Sequence, residues 1–244
     1  VAPELLALAS VASVQIGGAL VTKLFGRIGA PGAGLLRLVF SAIVLFALSR
    51  PRLAGRTARS VWLVVVFGVV VATMNVSFYL ALDRIPLGVA VTIEFTGPLA
   101  VALFGSRRWL DVVWAMLAAG GVGLLTSGGG EVRVSGILFA LLAGACWGSY
   151  ILFSQAVGRQ YAGSSGLTVA LAVGAVAMLP WGIASGGAEL LSPSVLALAF
   201  VVAVLMSALP YALELAALRR LPAHVFGVLM SAEPGAAAIA GFAI

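Results

Sequence analysis

The chain has 244 residues, 62% of them hydrophobic and 9% charged, with a formal net charge of +6 and a single cysteine. A soluble domain carries roughly 45–50% apolar and about 25% charged residues, so no water-soluble packing can hide this much apolar surface and a bilayer must solvate it. The lone Cys146 excludes an intrachain disulfide and a thiolate metal cage, and the positive charge sits in short segments between apolar runs, which reads as membrane orientation rather than nucleic-acid binding.

About 20 helical residues cross the roughly 30 Å hydrocarbon layer. In chain order, apolar runs of that kind predict helices over residues 3–22, 32–48, 61–82, 87–104, 110–127, 134–155, 166–184, 193–218 and 222–244. Each run is apolar all round, whereas a membrane barrel requires ten-residue segments that alternate, so the fold class is an all-α integral membrane protein. The first run lacks a basic leading segment and is followed by helix after helix, so it reads as a span and not as a cleaved signal.

Alternate connections differ in basic residues. One set carries Arg50, Arg52, Arg56, Arg59, Arg107, Arg108, Arg159, Arg219 and Arg220, and the other carries Lys23, Arg27, Arg84 and Arg133. The richer set belongs in the cytoplasm, and the N-terminus with it. Arg37 falls inside the second helix and counts for neither side.

The chain also repeats. YLALDRIPLGVAV from Tyr79 lies on LAALRRLPAHVFG from Leu215 with Pro86 on Pro222, and the same shift lays Pro98 on Pro234. Each copy reads as a helix, a short basic hairpin, and a second helix interrupted by proline. If the unit has five helices, an odd number, the copies are inverted relative to each other and a solute site is expected near the midplane where they meet. The expected halves are residues 1–127 and 134–244.

An ionisable group at the membrane centre costs at least about 2.5–3.5 kcal/mol on insertion scales, so each needs a reason. Arg37, Glu94, Glu214 and Glu233 stand out. Glu94 is followed by Gly97 and Pro98, and Glu233 directly precedes Pro234, so both acids neighbour structural helix breaks where loosened backbone can face a cavity. Their bland reading is a pair with Arg37, or a backbone hydrogen bond that fixes packing. Glu214 lies near Arg219 and Arg220, which suits an interfacial role equally well. Asn75 and Tyr79 share a helix face, as do Cys146 and Tyr150, and Ser207 and Tyr211. With Gln15 and Trp147 these side chains are candidates to complete a cavity, and the alternative for each is helix-to-helix contact. Gly144 and Gly148 form a GxxxG step, read as close helix packing. No HExxH, GxxxxGK or GxSxG motif is present and His224 has no ligand partner in sequence, so no enzyme, metal or cofactor is expected.

IGAPG at Ile28, IPLGVAVTIEFTGPLAVALF at Ile85, GACWGSYIL at Gly144, ALPYALE at Ala208 and LMSAEP at Leu229 resemble the threonine and homoserine exporter branch of the drug/metabolite transporter superfamily, the EamA-type carriers. The resemblance runs from the first helix to the last residue. It implies ten helices in two inverted five-helix halves, both termini cytoplasmic, and secondary export of a small neutral amino acid by alternating access, coupled to protons. Against that pattern the sequence stops within a ninth helix, an ending expected of a gene fragment rather than of a nine-helix carrier. A zwitterion needs an acid for its ammonium group, from Glu94 or Glu233, and donors for its carboxylate, from Arg37 or broken-helix N-termini. The expected partners are the lipid bilayer and this small solute, with no nucleic acid and no oligomeric state specified. The rival readings are a carrier of the same fold for aromatic compounds, drugs or nucleobases, and a non-transporting membrane scaffold or channel.

Overall fold

A computed structural model describes residues 2–49, 57–105, 133–161, 165–210, 213, 217 and 235–237, with only the backbone of 49 and 102–105. Every regular element among the described residues is helical: α1 (Pro3–Ser49), α2 (Ala58–Leu82), α3 (Leu87–Glu94), α4 (Thr96–Gly105), α5 (Val134–Gly158), α6 (Ser165–Gly186) and α7 (Pro193–Ala203), with a 3-10 turn at Gly187–Leu191 and a π-helical turn at Val204–Ala208. Helices α2 and α5, and the stretch Ser165–Leu191, are each long and apolar enough to cross a membrane. The protein is an integral membrane protein. The expected fifth span, 110–127, lies outside the described residues, as does the ninth, 222–244, apart from 235–237.

Helix α1 is about twice the length a bilayer needs and is broken at Gly29, whose φ of 67° and ψ of 169° depart from the helix. That positive φ suits glycine, and a Cβ there would stand 2.2 Å from the Ser185 hydroxyl. Ser185 Oγ donates to Ile28 O at 2.8 Å, satisfying a carbonyl at the break. The two arms fold back on each other, because Ser13 on the first and Arg37 on the second reach the same π-turn. The sequence predicts a connection over residues 23–31. Instead the first arm continues to Ile28 and the reversal takes essentially one residue. Lys23 and Arg27 suggest a loop, yet Arg27 bonds Glu189 at 2.7 Å together with Ser192 and Ser194, so its charge is met at the helix end by another connection.

The expected helix over 87–104 is interrupted between α3 and α4 at Phe95, where Pro98 has no N–H to offer the Glu94 carbonyl four residues back. The expected helix over 193–218 likewise changes register after Ala203.

Small residues set the packing, as expected where lipid gives no hydrophobic drive for helix association. A Cβ on Gly68 of α2 would lie 2.6 Å from Ala170 O of α6, and one on Gly174 would lie 2.9 Å from Gly68 O. Helix α4 crosses α5 as closely, since a Cβ on Gly97 would meet Gly144 O at 1.7 Å and one on Gly148 would meet Gly97 O at 3.2 Å. The GxxxG step is therefore a close helix contact, and Gly97 is its partner. Large apolar side chains such as Leu5, Phe46 and Leu138 face outward, with Trp62 and Trp181 exposed near opposite ends of their helices, as interfacial aromatics are.

Candidate functional site

Between the two arms of α1 and helices α2, α3, α5 and α6 lies a cavity of about 320 Å³. Gln15, Arg37, Asn75, Glu94, Trp147 and Tyr150, all singled out in the sequence, line it together. The rest of the wall is mainly aliphatic, including Val14, Leu87, Val91, Leu171 and Met206, with Ser207 and Pro210 entering beside the π-turn. A cavity of this size sits near the small end of ligand pockets, roughly 300–1,000 Å³, and has their usual make-up of apolar walls with a few polar groups.

Arg37 is the most fully specified of these side chains. Its Nη1 donates to Asn75 Oδ1 and, at 3.5 Å, to the Tyr79 hydroxyl, while Nη2 donates to Met206 O at 3.4 Å. Asn75 Nδ2 donates to Val71 O at 2.8 Å, which fixes the amide so that its oxygen faces the guanidinium. The Arg37 guanidinium also stands 5.8 Å from the Tyr79 ring centroid, within cation–π range. Among the described residues, this cation in the membrane interior is held by neutral dipoles and a π-face. Tyr79 is fully buried behind Arg37 and is not part of the cavity wall.

Glu94 ends α3, where its backbone approaches Gly144 of α5, and it lines the same cavity as Trp147. Trp147 is fixed by an edge-on contact with Phe95, centroids 5.6 Å apart. Tyr150 rests against Phe67 at 5.3 Å. Among the described residues the cavity wall carries one acidic and one basic side chain in an aliphatic setting. Pro98 stands in the first turn of α4. Glu214, Glu233, Tyr211 and Pro234 lie outside the described residues.

Three features of the site escape the sequence reading. Ser13 Oγ donates to Leu205 O at 2.7 Å, Ser41 and Ser207 bond through their hydroxyls at 2.8 Å, and Met206 presents its carbonyl to Arg37. The visible signal is Pro210, which denies Met206 O its usual partner four residues on.

Residues 134–244 match the EamA-like transporter family. The chain is similar to the threonine/homoserine exporter RhtA of Escherichia coli strain K12 and to that of Salmonella typhimurium strain LT2, with 43% identity over 98% of this chain and 82% of each relative.

Proposed function

Because the chain belongs to the EamA-like transporter family, we propose that it exports small neutral amino acids of the threonine and homoserine kind across the bacterial inner membrane, by alternating access coupled to protons. It is a transporter and not an enzyme. The observation that carries the cargo is that Arg37 and Glu94 both line one cavity, a cation for the carboxylate and an anion for the ammonium group of a zwitterion. Gln15, Asn75, Trp147 and Tyr150 line the same space, and Glu214, Glu233 and Tyr211 are proposed to join them from the second half. Counterflow in proteoliposomes tests this. Labelled threonine and homoserine should exchange against unlabelled substrate, and aromatic amino acids or nucleobases should compete poorly. Exchange of those rivals alone overturns the cargo, and no exchange of any solute overturns the carrier.

The inverted repeat of five-helix halves, residues 1–127 and 134–244, is proposed on the helix pairing. The shift that lays Pro86 on Pro222 carries the first arm of α1 onto α5, and carries α2 onto the stretch containing α7. In the fold α2 packs on α5, and α7 packs on α1. The two contacts are exchanged, as a pseudo-twofold axis in the membrane plane requires. The cytoplasmic N-terminus and the ten-helix total are part of the same proposal. Alternation of sides is supported by three contacts between connections: Arg27 with Glu189, Ile85 against Gly136, and Tyr161 Oη with Ser60 O at 3.3 Å.

Alternating access needs one face shut. The cavity wall stops at Gly18 on the first arm of α1 and at Arg37 on the second, and between them Val21, Leu24 and Ile28 are buried around the Gly29 turn. Arg27, Glu189, Ser192 and Ser194 bind the outside of this plug. The ion pair is 42% and 52% exposed, so its contribution is only about 0.2–1 kcal/mol. Arg27→Gln should accordingly raise, by at most about five-fold, the rate at which an impermeant maleimide reaches a cysteine at Val14 from the periplasm, in a Cys146→Ala background. An unchanged rate removes the ion pair from the gate.

A further inference from the structure

The π-turn beside the cavity has a definite hydrogen-bond arithmetic. Leu209 N donates to Val204 O, five residues back, so Leu205 O loses the donor that an α-helix would supply. Pro210 has no N–H for Met206 O, four residues back, nor for Leu205 O, five back. Both carbonyls are met by side chains of α1, Leu205 O by Ser13 Oγ at 2.7 Å and Met206 O by Arg37 Nη2 at 3.4 Å. A buried carbonyl must find a donor, and a guanidinium in the membrane interior must find acceptors. Each need meets the other here.

Met206 serves Arg37 a second time, because the Tyr79 hydroxyl that accepts from Arg37 Nη1 donates at 3.6 Å to Met206 Sδ. With Asn75 Oδ1 this leaves the guanidinium anchored at its back and side by uncharged groups. Those groups orient Arg37 without neutralising it.

We infer that Pro210 is a positioning residue: by withholding an N–H it presents the Met206 carbonyl to Arg37, aims the guanidinium into the cavity, and so sets the preference for a solute that bears a carboxylate. The inference rests on the proposed role of Arg37 as the carboxylate anchor. It assigns Asn75 and Tyr79 to holding Arg37.

Pro210→Ala supplies the missing N–H. The helix can then close through Met206 O in ordinary α register, and Arg37, bonded to that oxygen at 3.4 Å, must share it with the new N–H. Proline is unfavourable inside a helix, so the variant should insert and fold at least as well as the parent. The probes are L-threonine and L-threoninamide, which share the ammonium group and differ in the carboxylate, titrated calorimetrically into the purified chain in detergent. Wild type should bind threonine more tightly than the amide. Pro210→Ala should weaken threonine binding by about ten-fold and leave amide binding unchanged. Equal weakening of both ligands in Pro210→Ala marks a merely structural proline and overturns the inference, as does an unaltered preference. A wild type that does not distinguish the two ligands removes Arg37 as the carboxylate anchor, and the inference falls with it.

Discussion

Glutamine in place of Glu94 is expected to lower threonine and homoserine export by about ten- to a hundred-fold at unchanged membrane abundance, the range that loss of one charge-assisted hydrogen bond allows. The substitution keeps the size and one acceptor oxygen, turns the other oxygen into an NH2 donor, and removes the negative charge and its titration. Glu94 lines the cavity at the end of α3, opposite in sign to Arg37 and in the same wall as Trp147. If its carboxylate meets the ammonium group, the variant should weaken threonine and threoninamide by the same factor and keep the preference for threonine, since both ligands carry that group. Pro210→Ala, by contrast, should discriminate between them. If Glu94 also carries the coupled proton, counterflow in the variant should lose its pH dependence. The packing alternative gives the opposite pattern, because a neutral amide can preserve a structural hydrogen bond and spare transport. Wild-type rates and a wild-type pH profile in Glu94→Gln would exclude this acid as the coupling site.

The membrane class was legible from composition alone, because 62% hydrophobic and 9% charged residues leave no soluble solution. Among the described residues the apolar runs located the helices, although 87–104 and 193–218 are each interrupted. What could not be read were features whose cause lies far away in sequence. Arg27 reads as a loop residue until Glu189, from a connection over 160 residues later, is seen to meet its charge. Proline at 210 announces a disturbed helix, but whether it kinks, frays or forms a π-turn depends on donors, and these come from Ser13 and Arg37 on α1. Asn75 and Tyr79 share a face, as their spacing requires, yet that face points at Arg37, so Asn75 reaches the cavity wall and Tyr79 stands behind it. Periodicity assigns a residue to a face, and only packing decides what the face meets. Gln15, Arg37, Asn75, Glu94, Trp147 and Tyr150 were picked out for their polarity within apolar runs, and the fold gathers them around one space.

The cavity depends on backbone contact between α4 and α5, so Gly97→Ala is expected to be the most damaging single methyl group that can be added near it. Its Cβ would stand 1.7 Å from Gly144 O and 2.4 Å from the carbonyl carbon, whereas ordinary contact begins at 3.4 Å. Both atoms belong to helix backbone, so no rotamer change relieves the overlap and the helices must separate by roughly 2 Å. That separation withdraws Glu94 and Phe95 from Trp147, undoing the 5.6 Å ring contact that fixes the indole. The cost should reach or exceed the about 1–3 kcal/mol of ordinary overpacking. Gly144→Ala should follow, its Cβ 2.7 Å from Glu94 O, and Gly148→Ala should be mildest, its nearest neighbour being the Val101 side chain at 3.1 Å. Gly26→Ala is the control, since nothing lies within 4 Å of its Cβ and alanine favours the helix. Thermal unfolding in detergent, with binding of threonine measured alongside, should rank the variants in that order below a control at or above wild type. A Gly97→Ala protein that melts with the wild type would mean that α4 and α5 do not touch here, and that Glu94 reaches the cavity by some other path.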